Sequence, residues 1–319
     1  MTALRRLAWV TLVLAFGQIV FGAIVRITGS GMGCGDHWPQ CAGYWIPPLE
    51  RPDLIIEVTH RYIAATLTIA IVVLLALAFV RRRTPGVAGV GGVLRAALLA
   101  AALVVVAALF GAATVKLELT NTAVIVTHLS IAMSLLAVLL VVIQRSSEQR
   151  PAPTAESLVS LRTLRATYSA CALVFVALVL GALTAHVPGA NTACGGFPLC
   201  DGRLFPSIPA QHVQYTHRVI ALIVLLHTGG LAFLVRRRGD TRVLTLARLT
   251  FGAVVLQVLL AAFLVELNLP LILRSLHEAV GTLIWLLVVS LTIVARANAP
   301  RRSRGEVLGP VGSTAEVRA

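Results

Sequence analysis

The chain alternates between long apolar stretches and short segments that carry most of its polar residues. An apolar stretch of about 20 residues is long enough to cross the roughly 30 Å hydrocarbon core of a bilayer. Each such stretch must be helical, because lipid offers no hydrogen-bond partner to free backbone groups. The pattern predicts eight membrane-spanning helices at residues 7–25, 57–80, 93–115, 122–143, 164–186, 213–235, 246–267 and 273–295.

The composition supports an integral membrane protein. Only 13% of the 319 residues are charged, where a soluble domain carries about 25%, and the mean hydropathy is +0.89. The net charge of +14 is concentrated at the N-terminus, in alternate loops and in the C-terminal segment. This asymmetry is the positive-inside pattern, which predicts that both termini are cytoplasmic. We therefore expect membrane lipid rather than nucleic acid as the partner of the basic residues.

Three sequence motifs occur twice, in the same order. "FGAIVRITGSGMGCGDHWPQC" matches "LGALTAHVPGANTACGGFPLC", which aligns Cys34 with Cys194 and Cys41 with Cys200. "EVTHRYIAA" matches "QYTHRVIAL", and "VKLELTNTAVIVTH" matches "LVELNLPLILRSLH". In the last pair each final histidine follows a glutamate by about ten residues, so Glu118 and Glu266 are expected to correspond.

The repeat divides the chain into two halves of four helices. We predict an N-terminal half at residues 1–143, a cytoplasmic linker at 144–163, a C-terminal half at 164–295 and a disordered cytoplasmic tail at 296–319. Four spans is an even number, so both halves have the same orientation in the membrane. The expected fold is all-α: two four-helix bundles related by a pseudo-two-fold axis along the membrane normal.

Four histidines lie a few residues inside the ends of predicted helices, at matching positions of the two halves: His60, His128, His217 and His277. Polar side chains at membrane depth are costly and indicate function, although a single one can be an interfacial hydrogen-bonding residue. Two histidines on different helices of an apolar bundle suit the axial ligation of a haem. Zinc usually requires further ligands, and no third one is repeated.

Two arginines and one carboxylate accompany these histidines. Arg61 and Arg218 directly follow two of them and could pair with haem propionates or reach lipid headgroups. Glu57 lies one helical turn before His60, whereas the matching position holds Gln214. A carboxylate beside one pocket could take a proton from a substrate, and a neutral amide suits an electron carrier. Alternatively, Glu57 is a first-turn residue favoured by the helix dipole.

As a set, these motifs resemble the haem A synthase family over about 290 residues. The resemblance implies a haem b cofactor bound by His217 and His277, with Arg218 nearby. It implies that the substrate haem O docks at His60 and His128, near Arg61, with Glu57 as an important acidic residue. The family oxidises a methyl group of haem O to a formyl group through hydroxylated intermediates, which gives haem A.

The predicted topology places the first cysteine pair outside, where a disulfide is favoured over a metal site. The resemblance implies disulfides Cys34–Cys41 and Cys194–Cys200, and a thiol relay at the first pair is the alternative. It also points to a haem O synthase and a membrane electron acceptor as partners. The near-exclusive use of arginine over lysine suggests a bacterial origin, so we expect the protein in a bacterial plasma membrane. The competing functions are a bis-histidine b-type cytochrome without enzymatic activity and a transporter.

Overall fold

The computed structural model describes residues 1–35, 40–147, 158–236 and 240–300. Within these residues it contains eight long helices and no β-strands, and all eight are long and apolar enough to cross a membrane. The predicted all-α membrane fold is therefore confirmed. The helices are α1 (Thr2–Ile27), α2 (Pro52–Val80), α3 (Val93–Lys116), α4 (Thr122–Arg145), α5 (Leu161–His186), α6 (Pro209–Val235), α7 (Thr241–Glu266) and α8 (Leu271–Ala297).

Several helices begin a few residues before the apolar stretches because their first turns are stabilised by specific residues. Helices α2 and α6 begin at Pro52 and Pro209, and proline fits the first turn because no intrahelical N–H bond is needed there. The N-cap side chains of Ser160 and Asp240 accept hydrogen bonds from backbone N–H groups of the first turns of α5 and α7, and Asn121 caps α4 at its predicted start in the same way.

Each half is a square bundle. Helices α2 and α4 both pack against α1 and against α3, so they lie diagonally opposite one another. Helices α6 and α8 have the same relation to α5 and α7. The two bundles contact one another mainly where α8 packs against α1 and α4, and where α4 packs against α5. Buried leucine, valine and alanine side chains fill the bundles, while exposed large side chains such as Ile69 and Leu226 face outward, where lipid would cover them.

The loops that follow α1 and α5 repeat the same backbone conformation. Each begins with a left-handed glycine, Gly29 or Gly189, and continues into a short 3₁₀ turn at Ser30–Met32 or Ala190–Thr192. In each loop the second cysteine of the pair also forms an isolated β-bridge three residues along the chain, Cys41 with Tyr44 and Cys200 with Arg203. The internal repeat therefore extends from the sequence motifs into local backbone geometry.

The expected correspondence of Glu118 with Glu266 is wrong. Helix α3 is followed by Glu118 and Leu119 in the left-handed region, and α7 is followed by Asn268 and Leu269 in the same conformation. Glu118 therefore corresponds to Asn268, and Glu266 is the last residue of α7. A one-residue difference between the loops shifted the sequence alignment.

The proposed boundaries of the halves stay predictions. Half of the linker, residues 148–157, and the tail from 301 onward lie outside the described residues, as do residues 36–39 in the first cysteine loop.

Candidate functional site

The four repeated histidines occupy equivalent positions on diagonal helices. Counted from the helix starts, His60 in α2 and His217 in α6 are both ninth, and His128 in α4 and His277 in α8 are both seventh. All four lie towards the end of the molecule that carries the cysteine loops, which we call the disulfide end. Each bundle therefore carries one histidine on each of two helices that face one another across its centre.

Three of the histidine rings pack directly against glycines of neighbouring helices. A Cβ atom added to Gly22 would lie 3.0 Å from Cε1 of His60, and one added to Gly181 would lie 3.1 Å from Cε1 of His217. A Cβ atom at Gly111 would lie 3.3 Å from Cε1 of His128. Because side chains in a packed interior cannot overlap, these glycines make the space in which the imidazole rings lie.

The histidines leave buried ring nitrogens without partners. The Nδ1 atoms of His60, His128, His217 and His277 are buried and lack a hydrogen-bond partner in the described part of the chain. Such orphaned groups are rare in proteins, because an unmade buried hydrogen bond costs about 1–3 kcal/mol. Their presence at all four sites indicates imidazoles arranged for a ligand. Among the described residues, no cluster of three or more His, Cys, Asp or Glu side chains could hold a metal ion, which disfavours zinc.

Two glutamines near these rings distinguish the halves. Gln18 in α1 lies 3.1 Å from His60, measured between the side-chain amide nitrogen and the ring Nε2. In the second half, the side chain of Gln257 donates to the backbone carbonyl of His277 at 2.9 Å. The Oε1 atoms of Gln18 and Gln257 are both buried and unpartnered. Each half therefore carries one amide near its histidines, but only Gln18 engages an imidazole.

Glu57 and Gln214 make the same backbone contact despite their different charges. Glu57 accepts a hydrogen bond from the backbone N–H of Cys34 at 2.8 Å, and Gln214 accepts one from Cys194 at 2.7 Å. Both side chains belong to nearly buried residues, 3% and 5% exposed. Glu57 is the sixth residue of α2, so it is not a first-turn residue favoured by the helix dipole. It is a buried carboxylate at the junction of the helix and the cysteine loop.

The two arginines also reach the cysteine loops. Arg61 donates to the Glu57 carboxylate at 2.6 Å and to the carbonyl of Gln40 at 3.3 Å. Arg218 donates to backbone carbonyls of its own loop, including those of Cys194 and Leu199. In the described part of the chain, Arg61 forms an ion pair with Glu57, whereas Arg218 lies among loop carbonyls with the carboxylates of Asp201 and Glu266 farther away.

Both cysteine pairs are disulfides, as predicted. Cys34 is bonded to Cys41 and Cys194 to Cys200, and all four residues are buried. Leu54 and Val58 of α2 pack against the first pair, which fixes the loop on the helix that carries His60. This packing points to a structural role, because a covered disulfide is protected from thiol exchange.

Sequence reasoning missed Gln18, Gln257 and the packing role of the three glycines. The match of Gly22 with Gly181 in the repeat was visible, but only the structure shows that both contact histidine rings. Gln18 was detectable as an uncharged polar residue within an apolar span, opposite Ala177 in the repeat.

Comparison with known proteins places these features in a family. The family described as COX15-CtaA, cytochrome oxidase assembly protein, matches residues 5–55 and 50–289. A heme A synthase of Staphylococcus haemolyticus is 30% identical over 88% of this chain and 92% of its own length. Heme A synthases of Geobacillus kaustophilus and Alkalihalophilus pseudofirmus are 30% and 31% identical over 72% and 70% of the chain, covering 71% and 74% of their own lengths. The chain therefore belongs to the COX15-CtaA family of cytochrome oxidase assembly proteins.

Proposed function

We propose that the protein is a haem A synthase, an oxidoreductase that converts the ring methyl group of haem O to a formyl group. The observation that carries the proposal is the duplicated pair of histidines, which lie at equivalent positions on diagonal helices of the two halves. The names of the related proteins support the reaction, since the relatives that cover most of this chain are heme A synthases. We place the protein in a bacterial plasma membrane because the related heme A synthases are bacterial, and the distribution of its basic residues places both termini in the cytoplasm.

The residues present fit two haems. In each half, two buried imidazoles lie on diagonal helices of an apolar bundle, and together they could hold a haem between the helices. We assign His217 and His277 to a resident haem b, with Arg218 at the edge of that site. When bound, haem b supplies one-electron redox chemistry next to the substrate half.

The first half is proposed to bind haem O. His60 and His128 would hold the substrate iron from α2 and α4, and the glycines beside their rings keep both imidazoles in place. Glu57 is the charged group that the second half lacks. Its carboxylate is oriented by Arg61 and by the backbone N–H of Cys34, one helical turn from His60. Oxidation of the methyl group to a formyl group takes its oxygen atom from water and releases protons and electrons. We assign Glu57 the uptake of one of these protons, with the electrons passing to a membrane acceptor.

A b-type cytochrome without enzymatic activity is the second candidate, and one observation favours it. Glu57 and Gln214 make equivalent hydrogen bonds to cysteine backbones, so both could serve only to hold the loops. In that case, the charge of Glu57 would be irrelevant to chemistry.

The deciding experiment compares wild type with Glu57→Gln and Gln214→Glu proteins. Each is expressed with a supply of haem O and purified, and its haems are extracted, separated by chromatography and followed by reduced-minus-oxidised spectra. Wild type should contain haem b together with haem O, haem A or a hydroxylated intermediate. Because Gln214 already accepts the cysteine N–H as an amide, Glu57→Gln should keep the loop and haem b while haem A formation falls on the order of 100-fold or more.

The Gln214→Glu protein is the control, and two results would contradict the proposal. Gln214→Glu should leave haem A formation close to that of wild type, because it changes only the second half. Haem b as the sole haem, with no haem A formed from added haem O, would support the cytochrome. Haem A formation at the wild-type rate in the Glu57→Gln protein would remove Glu57 from the chemistry.

A further inference from the structure

The ring nitrogen Nε2 distinguishes His60 from its counterpart in the repeat. Nδ1 is orphaned in all four histidines, so it does not separate the halves. At His60, the amide of Gln18 lies 3.1 Å from Nε2. The matching residue of α5, four positions before Gly181 as Gln18 is before Gly22, is Ala177. His217 therefore has the backbone of Ala177 beside its ring where His60 has a side-chain amide.

The Nε2 atom of His60 cannot form a hydrogen bond with the Gln18 amide and bind an iron atom at the same time. Whichever way the amide is turned, its hydrogen bond engages the one position that Nε2 offers in the ring plane. Nε2 is also the nitrogen farther from the Cβ atom, so it is the one better placed to reach a ligand beyond the helix surface. Haem binding at His60 must therefore break the contact with Gln18.

We propose that Gln18 is an alternative partner for His60 that makes the first-half haem site exchangeable. The inference rests on the proposed function, in which the first half must accept haem O and release haem A while the second half retains haem b. A hydrogen bond present only without haem stabilises the empty site and so weakens binding. His217 lacks a movable side-chain partner at the equivalent position, where the main-chain carbonyl of Ala177, fixed in α5, lies beside the ring instead.

The flexible glutamine side chain suits this role. Gln18 has a buried Oε1 without a partner, so its amide is not fixed by a second hydrogen bond. Gln257 provides an internal contrast, because its amide binds the main chain of His277 and leaves the ring alone. The two halves therefore differ in the side chain of Gln18, which contacts a histidine ring in the first half only.

The test measures haem partition at equilibrium between the purified protein and apomyoglobin. Wild type is compared with Gln18→Ala and Gln18→Met, where methionine keeps the length of the side chain without its amide. Haem O and haem b are quantified separately by chromatography. We expect both variants to hold haem O about three- to tenfold more tightly, the effect of one net hydrogen bond, with haem b unchanged.

The reciprocal variants test the second half. Ala177→Gln should weaken haem b retention by a similar factor, whereas Ala177→Met, which adds the same bulk, should weaken it clearly less. Unchanged or weaker haem O binding in both Gln18 variants, or equal effects of glutamine and methionine at position 177, would overturn the inference. If wild type binds haem b but never haem O, the proposed function itself fails, and the inference with it.

Discussion

At the scale of single residues, the two halves share geometry and differ in charge. Glu57 and Gln214 bind equivalent backbone N–H groups, so the fold does not require a carboxylate at that place. A buried carboxylate is more costly than a buried amide and needs a counter-charge, which Arg61 provides at 2.6 Å. The amide of Gln214 makes the same backbone contact without a charge. Because the structure alone does not require a carboxylate at position 57, we infer that Glu57 has a chemical role.

The glycines beside the histidines give a prediction about haem binding. Gly22→Ala should displace the His60 ring, because the new Cβ atom would lie 3.0 Å from Cε1. Gly17→Ala on the same helix is the matched control, since its Cβ atom would meet nothing within 4 Å. We expect Gly22→Ala to lower haem occupancy of the first half several-fold without changing haem b, measured from the extracted haems.

The same substitution in the second half should affect the other haem. Gly181→Ala would place a Cβ atom 3.1 Å from Cε1 of His217, whereas Gly252→Ala in α7 would meet nothing within 4 Å. Haem b should be lost from the first of these proteins and retained by the second. Equal occupancy in all four variants would show that the rings can move aside without cost.

At the scale of elements, each cysteine loop is held to its helix by three kinds of contact. In the second half, the disulfide closes the loop, the Gln214 side chain binds the N–H of Cys194, and Arg218 donates to loop carbonyls. A short loop closed by a disulfide gains about 2–3 kcal/mol, chiefly by restricting the unfolded state. Because Arg218 also follows His217, the loop and the candidate ligand are positioned by the same turn of α6.

Removal of the second disulfide should open its loop while the helices persist. In a Cys194→Ser/Cys200→Ser protein, we expect the backbone amides at positions 194 and 195 to exchange hydrogen roughly 30- to 150-fold faster. This factor corresponds to a loss of about 2–3 kcal/mol of loop stability. Both amides are hydrogen-bonded to side chains in the intact loop. Hydrogen exchange followed by mass spectrometry measures this, with haem b content expected to be retained.

The equivalent change in the first half separates a structural disulfide from a thiol relay. Cys34→Ser/Cys41→Ser should loosen its loop to a similar extent and reduce haem A formation only modestly. Complete loss of activity with normal amide protection would instead support the redox role. The burial of Cys34 and Cys41 against Leu54 and Val58 is the reason to expect the structural result.

The apolar stretches and the internal repeat each predicted a different part of the structure. The apolar stretches predicted all eight helices, because hydrophobic length determines which segments can cross a bilayer. They misplaced the start of α2, at Pro52 rather than residue 57, because the charged residues Asp53 and Glu57 interrupt the apolar run and separate Leu54, Ile55 and Ile56 from it. The repeat identified the four histidines, and the family resemblance implied both disulfides. The contact of Gln18 with His60 depends on packing between helices, which hydropathy does not encode.

At the scale of the whole molecule, the bundles are joined by contacts that do not repeat. The indole N–H of Trp285 in α8 donates to the carbonyl of Met133 in α4 at 2.8 Å, in the buried interface. Towards the disulfide end, Arg26 at the end of α1 pairs with Glu278 in α8 at 2.7 Å. Helix α8 therefore connects the candidate haem b site to both α1 and α4 of the first half.

The Arg26–Glu278 ion pair gives a prediction about how the halves are held together. Its side chains are 24% and 34% exposed, so the pair is partly shielded from solvent, and Glu278 directly follows His277. We expect Arg26→Gln and Glu278→Gln each to destabilise the protein, with a coupling of about 0.5–1.5 kcal/mol in a double-mutant cycle. Unfolding by a denaturing detergent in mixed micelles measures the coupling.

The Arg51–Asp53 pair, with the same 2.7 Å separation but within one segment and more exposed, is the control and should show no measurable coupling. Equal coupling free energies for the two pairs would mean that the Arg26–Glu278 ion pair does not stabilise the contact between the two halves. The interface would then depend on apolar packing and on the Trp285 hydrogen bond.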